Sequence, residues 1–226
     1  MKYSTYLLFF LIILVAHLAG IALNIPLAEY ITKPMIVILI GLYFLFQTTG
    51  IDSAIKKWVL LALMFSWIGD VLLLFQQNDS LFFLLGLSAF LVAHIFYILF
   101  FHQVRVREKI KGRLWIVLIV VVYYVALIAL LSSYLGEMKF PVRVYGIVIS
   151  LMFMLAMHML FIKDKAAGQR MMAGALLFIL SDSALAINKF YQSFPFAGIL
   201  IMLTYVLAQF FIVEGSTRYI ASTYKE

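Results

Sequence analysis

Eight apolar stretches follow one another along the 226 residues, at about 6–24, 32–48, 58–76, 81–101, 114–135, 142–162, 170–190 and 195–214. No other feature restricts the fold so strongly. A helix needs roughly 20 mostly apolar residues to cross a bilayer, and within hydrocarbon only helices and closed barrels satisfy their own backbone. With 66% hydrophobic and 12% charged residues, the chain lies outside the usual composition of soluble domains. We read it as all-α: a polytopic membrane bundle of about eight transmembrane helices in which residues 1–226 form one transmembrane domain. Residues 1–24 carry Lys2 ahead of an apolar run, as a signal peptide does. The run is long for that role and lacks an A-x-A site, so it reads as a retained first helix. The absence of cysteine excludes disulfides, thiolate metal sites and a cysteine nucleophile.

The net charge of +7 comes from short loops, where membrane topology explains it better than nucleic-acid binding does. Lys2, the loops bearing Lys56 to Lys57, Arg105 to Arg113 and Lys163 to Arg170, and the tail with Arg218 and Lys225 hold 13 of the 17 lysines and arginines. The opposite loops hold four: Lys33, Lys139, Arg143 and Lys189. Positive loops stay in the cytoplasm, so both termini are expected there, in a multi-pass protein of a bacterial inner membrane. Asp182 follows Asp70 by 112 residues, and the same offset pairs Gly86 with Gly198, Phe82 with Phe194 and Leu91 with Leu203. That is compatible with a chain built from two parallel four-helix halves.

The carboxylates inside these spans need a reason to be there, because an ionisable group at a span's centre costs roughly 2.5–3.5 kcal/mol on insertion scales. Asp70 and Asp182 each lie about 12 residues into a span running outward, hence at a common depth of roughly 18 Å at 1.5 Å per residue. His94 sits on the intervening span, with Tyr97 a turn beyond it. Tyr205 and Gln209 share a face at i, i+4 on the last span, and Ser66 precedes Asp70 by a turn. Lys33, Asn188 and Lys189 stand near the outer ends. Together these residues outline a polar cavity open to the non-cytoplasmic side or sideways to a leaflet.

Structural readings compete with each of these. The aspartates can pair with lysines, the lysines can snorkel, and tyrosine and glutamine can serve as interhelical hydrogen bonds. His17 and His158 read as structural. Ser181 and Ser183 have no G-x-S-x-G elbow. Four scattered histidines without an H-E-x-x-H pattern argue against a catalytic metal, and no cofactor motif is present.

The order Ser66, Gly69, Asp70, Leu73; then Phe83, Gly86, Phe90, His94, Tyr97; then Ser181 to Ala186 with Lys189 and Phe190; then Thr204, Tyr205, Ala208, Gln209 resembles the YhhN-like lysoplasmalogenase family, as does the pair Lys33 and Pro34. The resemblance covers residues from about 30 to 215. It implies eight spans and hydrolysis of the vinyl-ether bond of lysoplasmalogens to a fatty aldehyde and a glycerophospho-base. It also places Asp70, Asp182, His94, Tyr97, Lys33, Lys189, Tyr205 and Gln209 in or near the site. Two carboxyl groups suit that chemistry: burial favours the protonated form that delivers a proton, while an ionised partner stabilises the oxocarbenium ion. The partner implied is a lysophospholipid within the membrane. The competing class is a proton-coupled transporter or a non-catalytic lipid-binding protein.

Overall fold

A computed structural model describes residues 3–224, and Lys2 and Lys225 lie outside the described residues. Among these residues there are eight α-helices and no strand: α1 (Tyr3–Ala22), α2 (Pro26–Gln47), α3 (Lys56–Leu74), α4 (Ser80–Arg107), α5 (Leu114–Leu131), α6 (Lys139–His158), α7 (Lys165–Ala186) and α8 (Ala197–Tyr224). Seven of them are long and apolar enough to cross a membrane, and α1 adds a shorter apolar stretch, Tyr6–Ala22. The chain is a multi-pass integral membrane protein.

The helices obey cap chemistry at ends that hydropathy leaves vague. Pro26 opens α2, where its missing N–H costs nothing. Asp79 caps α4 by accepting from the Leu81 N–H at 2.8 Å. Asp164 caps α7 through the Ala167 N–H at 3.1 Å and also receives Arg218 Nε at 2.9 Å, tying the start of α7 to the end of α8. Partial burial pushes the Asp164 carboxyl up, but these hydrogen bonds outweigh it and hold the group below its ordinary value. α4 and α8 run past the expected ends, to Arg107 and Tyr224, because a helix can continue out of hydrocarbon with polar residues on it. Arg105 and Arg107 also suit the negative end of the α4 dipole.

The two halves are built alike. Adding the 112-residue offset to the bounds of α2 gives 138–159, against Lys139–His158 for α6; the same shift carries α3 onto α7 and α1 onto α5 within a few residues. Packing repeats as well. α1 packs on α2, α2 on α3 and α3 on α4, as α5 does on α6, α6 on α7 and α7 on α8. Across the halves, α2 meets α8 and α4 meets α6, which are equivalent pairs under the same exchange.

Close helix approach depends on missing side chains, as is common where lipid rather than water surrounds a bundle. A Cβ on Gly69 of α3 would stand 2.6 Å from the Phe90 ring and 3.2 Å from the Gly86 carbonyl of α4. Between α7 and α8, a Cβ on Gly174 would lie 2.7 Å from both the Ala208 carbonyl oxygen and the Ile212 nitrogen, where no flexible group can yield. The periphery is apolar. α5 exposes Val117, Leu118, Val121, Val122 and Val125, a face suited to acyl chains.

Gly174→Val is therefore expected to lower the thermal midpoint of the detergent-solubilised protein, with overpacking of this kind costing about 1–3 kcal/mol. Gly41→Ala, whose Cβ meets nothing within 4 Å, is expected to be neutral or stabilising by up to ~1 kcal/mol.

Candidate functional site

The cavity that holds the intramembrane carboxyl groups lies where α1, α3 and α7 end and α2, α4, α6 and α8 begin, at the end of the bundle opposite the chain termini. Its volume is about 230 Å³. Asp70 and Asp182 both line it. Lys33, Asn188 and Tyr205 line it too, together with Glu29, Gln76 and a shell of Leu73, Phe83, Leu87, Phe90 and Met202. A smaller apolar slot adjoins it beside Asp182, between Phe83, Leu87, Val142 and Phe190.

The two carboxyl groups have unlike surroundings. Asp70 is 1% exposed; Tyr205 of α8 donates to its Oδ2 at 2.6 Å, and the Lys33 ammonium of α2 stands 3.6 Å from its Oδ1. Asp182 accepts from the Tyr145 hydroxyl of α6 and has no ion-pair partner among the described residues. A cation and a phenol suit a carboxylate. A lone phenol donor leaves the second oxygen of Asp182 able to carry a proton.

The tyrosine on Asp70 is held by its neighbours. Phe90 packs edge-to-face on Tyr205 at 5.6 Å and on Phe178 at 6.4 Å, and Phe178 packs on Tyr205 at 5.5 Å. Phe90 reaches that position because Gly69, next to Asp70 in sequence, has no side chain to block it. One turn deeper, Tyr97 donates to Gln209 Oε1 at 2.5 Å, and Gln209 Nε2 donates to Ser66 Oγ at 2.9 Å. Ser66, Tyr97 and Gln209 thus form a buried relay joining α3, α4 and α8 beneath the cavity, and none of the three lines it.

His94 is fully buried and also stands off the cavity. Its ring packs edge-to-face on Tyr145 at 5.4 Å and on Phe178 at 4.7 Å, behind the group that bonds Asp182. Lys189 is exposed, with its ammonium 4.9 Å from the Phe83 ring centroid at the cavity edge. It belongs to a π-helical turn, Ile187–Tyr191, that closes α7. This turn leaves Asn188 on the cavity wall, whereas Lys189 does not line the cavity and lies against Phe83, which does. Ser181 and Ser183, which flank Asp182, spend their hydroxyl hydrogens on the Ile201 and Ile179 carbonyls at 2.9 and 2.6 Å. No group of three or more potential metal-binding side chains occurs among the described residues.

Several wall residues carried no sequence signal. Tyr145 is one of 13 tyrosines and sits near an aspartate 37 positions away. Glu29 and Gln76 lie at helix ends, where polar residues are ordinary. His17, expected to be structural, lines the cavity beside Lys33 and Asp70.

A sequence profile described as the YhhN family matches residues 28–216. The chain is 32% identical over 157 residues to human lysoplasmalogenase TMEM86B, covering 70% of this chain and 62% of that protein. It is 33% identical over 169 residues to human lysoplasmalogenase TMEM86A and 34% identical over 163 residues to the bovine TMEM86A, each comparison covering 71% of this chain and 65% of the relative. The chain therefore spans a little under two thirds of the length of the curated relatives it matches. No solved structure matches it.

Tyr97→Phe strips the donor from a buried amide oxygen, which costs about 1–3 kcal/mol. The expected result is a lower thermal midpoint, with the cavity wall unchanged.

Proposed function

The chain belongs to the YhhN family, and we propose on that premise that it is an intramembrane hydrolase cleaving the vinyl-ether bond of lysoplasmalogens to a fatty aldehyde and a glycerophospho-base. One observation carries the mechanism: two intramembrane carboxyl groups, one buried and one half-buried, line a single cavity with different electrostatic support. Asp182, with a phenol and no cation, is the general acid. It delivers its proton to the vinyl carbon remote from the ether oxygen, which generates an oxocarbenium ion. Asp70, held by Lys33 and Tyr205, remains a carboxylate, stabilises that cation and orients the attacking water. Water adds to the cationic carbon, the hemiacetal forms and its proton returns to Asp182. Collapse expels the glycerol oxygen as an alcohol and leaves the aldehyde.

Tyr145 sets the orientation of the Asp182 carboxyl, and His94 packs against Tyr145 as a positioning residue. Lys33 is committed to Asp70, so the phosphate falls to the mouth, where Lys189 at the rim and Asn188 and Gln76 on the wall supply a charge and amide donors. The alkenyl chain follows the apolar slot beside Asp182 toward the bilayer. Tyr97, Gln209 and Ser66 support Tyr205 and Asp70 from below. The 13-to-4 distribution of lysines and arginines supports cytoplasmic termini in a cytoplasmic membrane, which turns the cavity toward the opposite leaflet.

Purified protein is expected to release aldehyde from lysoplasmenylethanolamine and to leave the ester-linked lysophospholipid intact, as read by mass spectrometry of the products. Asp182→Asn is expected to lower turnover at least about a hundredfold, the scale of general-acid catalysis, and Asp70→Asn comparably, with both variants folded. Wild-type rates in either variant would refute the division of labour.

A further inference from the structure

His17 stands apart from the residues used above. It lies on α1, ahead of the segment matched by the family profile, residues 28–216. It is 0% exposed, as buried as Asp70, and it lines the same cavity. Its Nδ1 lies 2.8 Å from Thr32 Oγ1, and Thr32 Oγ1 in turn donates to the Ala28 carbonyl oxygen at 2.5 Å. A hydroxyl has one hydrogen. At that separation from a carbonyl oxygen the Thr32 hydrogen is committed to Ala28, so toward His17 the hydroxyl can only accept. Nδ1 must then carry the imidazole hydrogen, and Nε2 of the neutral ring is a bare acceptor. Nε2 is buried and has no hydrogen-bond partner among the described residues. Buried polar atoms are ordinarily satisfied, and an exception calls for an explanation.

An acceptor of fixed tautomer on the wall of a lysolipid cavity calls for a neutral donor near the scissile bond. A lysoplasmalogen has one, the free hydroxyl on the central glycerol carbon. A plasmalogen acylated there does not. We infer that His17 Nε2 accepts a hydrogen bond from this hydroxyl and so makes the site specific for lysolipids, with Thr32 positioning the ring. This rests on the proposed substrate class and adds the residue that selects within it. A site built to bond a substrate hydroxyl discriminates strongly against an analogue without it, by factors that reach about 10⁴–10⁵, because the acceptor is left unpaired.

The test compares lysoplasmenylethanolamine with its 2-deoxy analogue on the full chain in nanodiscs. The wild type is expected to prefer the hydroxylated substrate by at least about a hundredfold in kcat/KM, within the range such sites reach. His17→Leu is expected to lose most of that preference by slowing on the hydroxylated substrate while keeping its rate on the 2-deoxy one. His17→Gln, which retains an acceptor, recovers part of the preference, and Thr32→Val, which frees the ring tautomer, weakens it. Equal losses on both substrates would overturn the inference, since a residue acting on water or on stability ignores the hydroxyl. An unselective wild type would overturn it without any variant, so failure of His17→Leu to fold leaves the question decidable. Binding of a saturated 1-O-alkyl lysolipid and its 2-deoxy form, neither of which has a vinyl ether, separates the two readings. Hydroxyl-dependent binding lost in His17→Leu, without any aldehyde release by the wild type, would refute the hydrolase and uphold His17; aldehyde release without hydroxyl dependence would do the reverse.

Discussion

A carboxyl group surrounded by hydrocarbon has to be solvated by the protein itself, and the arrangement of this bundle follows from how Asp70 is solvated. Its two oxygens are met by Lys33 from α2 and Tyr205 from α8. Three helices from both halves of the chain are thereby fixed around one side chain. The glycine beside it admits Phe90, Phe90 and Phe178 brace Tyr205, and Gln209 one turn on bonds Ser66 one turn back. Breaking a buried pair of this kind typically costs more than the pair contributes, because an uncompensated charge remains. The cluster therefore ties the integrity of the helix packing to the electrostatics of the cavity.

The second aspartate shows how a repeated framework acquires two chemistries. Asp182 occupies the position equivalent to Asp70 on the equivalent helix, yet it meets a tyrosine from α6 and pairs with no cation among the described residues. Pro34, beside the lysine on α2, has no N–H to offer the Tyr30 carbonyl, so α2 lacks one helical hydrogen bond next to Lys33. The difference between the two sites comes from the helices that face them, α2 in one case and α6 in the other.

Much of this was legible in the chain. Eight hydrophobic runs, the aspartate pair and the 112-residue offset all rest on features that stand out against an apolar background. What stayed hidden has a common cause. Membrane helices are apolar on every side, so periodicity does not say which face turns inward, and a tyrosine such as Tyr145 could face lipid or an aspartate equally well. His17 on a nearly featureless α1 reads as structural because what distinguishes it is the bond from its Nδ1 to Thr32 Oγ1, a contact between helices. His94 illustrates the converse: motif spacing put it near the site, and packing places it one ring behind the cavity wall. The π-helical turn that separates Asn188 from Lys189 has no composition signature, and the extensions of α4 and α8 lie past the point where hydropathy stops.

Tyr97 and Gln209 are separated by 112 residues and bond to each other. Positions related by the offset that touch one another lie where the two halves meet as equivalents, where a symmetric pair of separate chains would set each residue against its own copy. Two tyrosines or two glutamines there would have to share donors and acceptors by the same rule on both sides. Joined in one polypeptide, the two positions are free to differ, and a phenol now donates to an amide that passes its own hydrogen on to Ser66. The hydrogen bonds run one way, from α4 through α8 to α3, so the centre of a nearly symmetric bundle has acquired a direction.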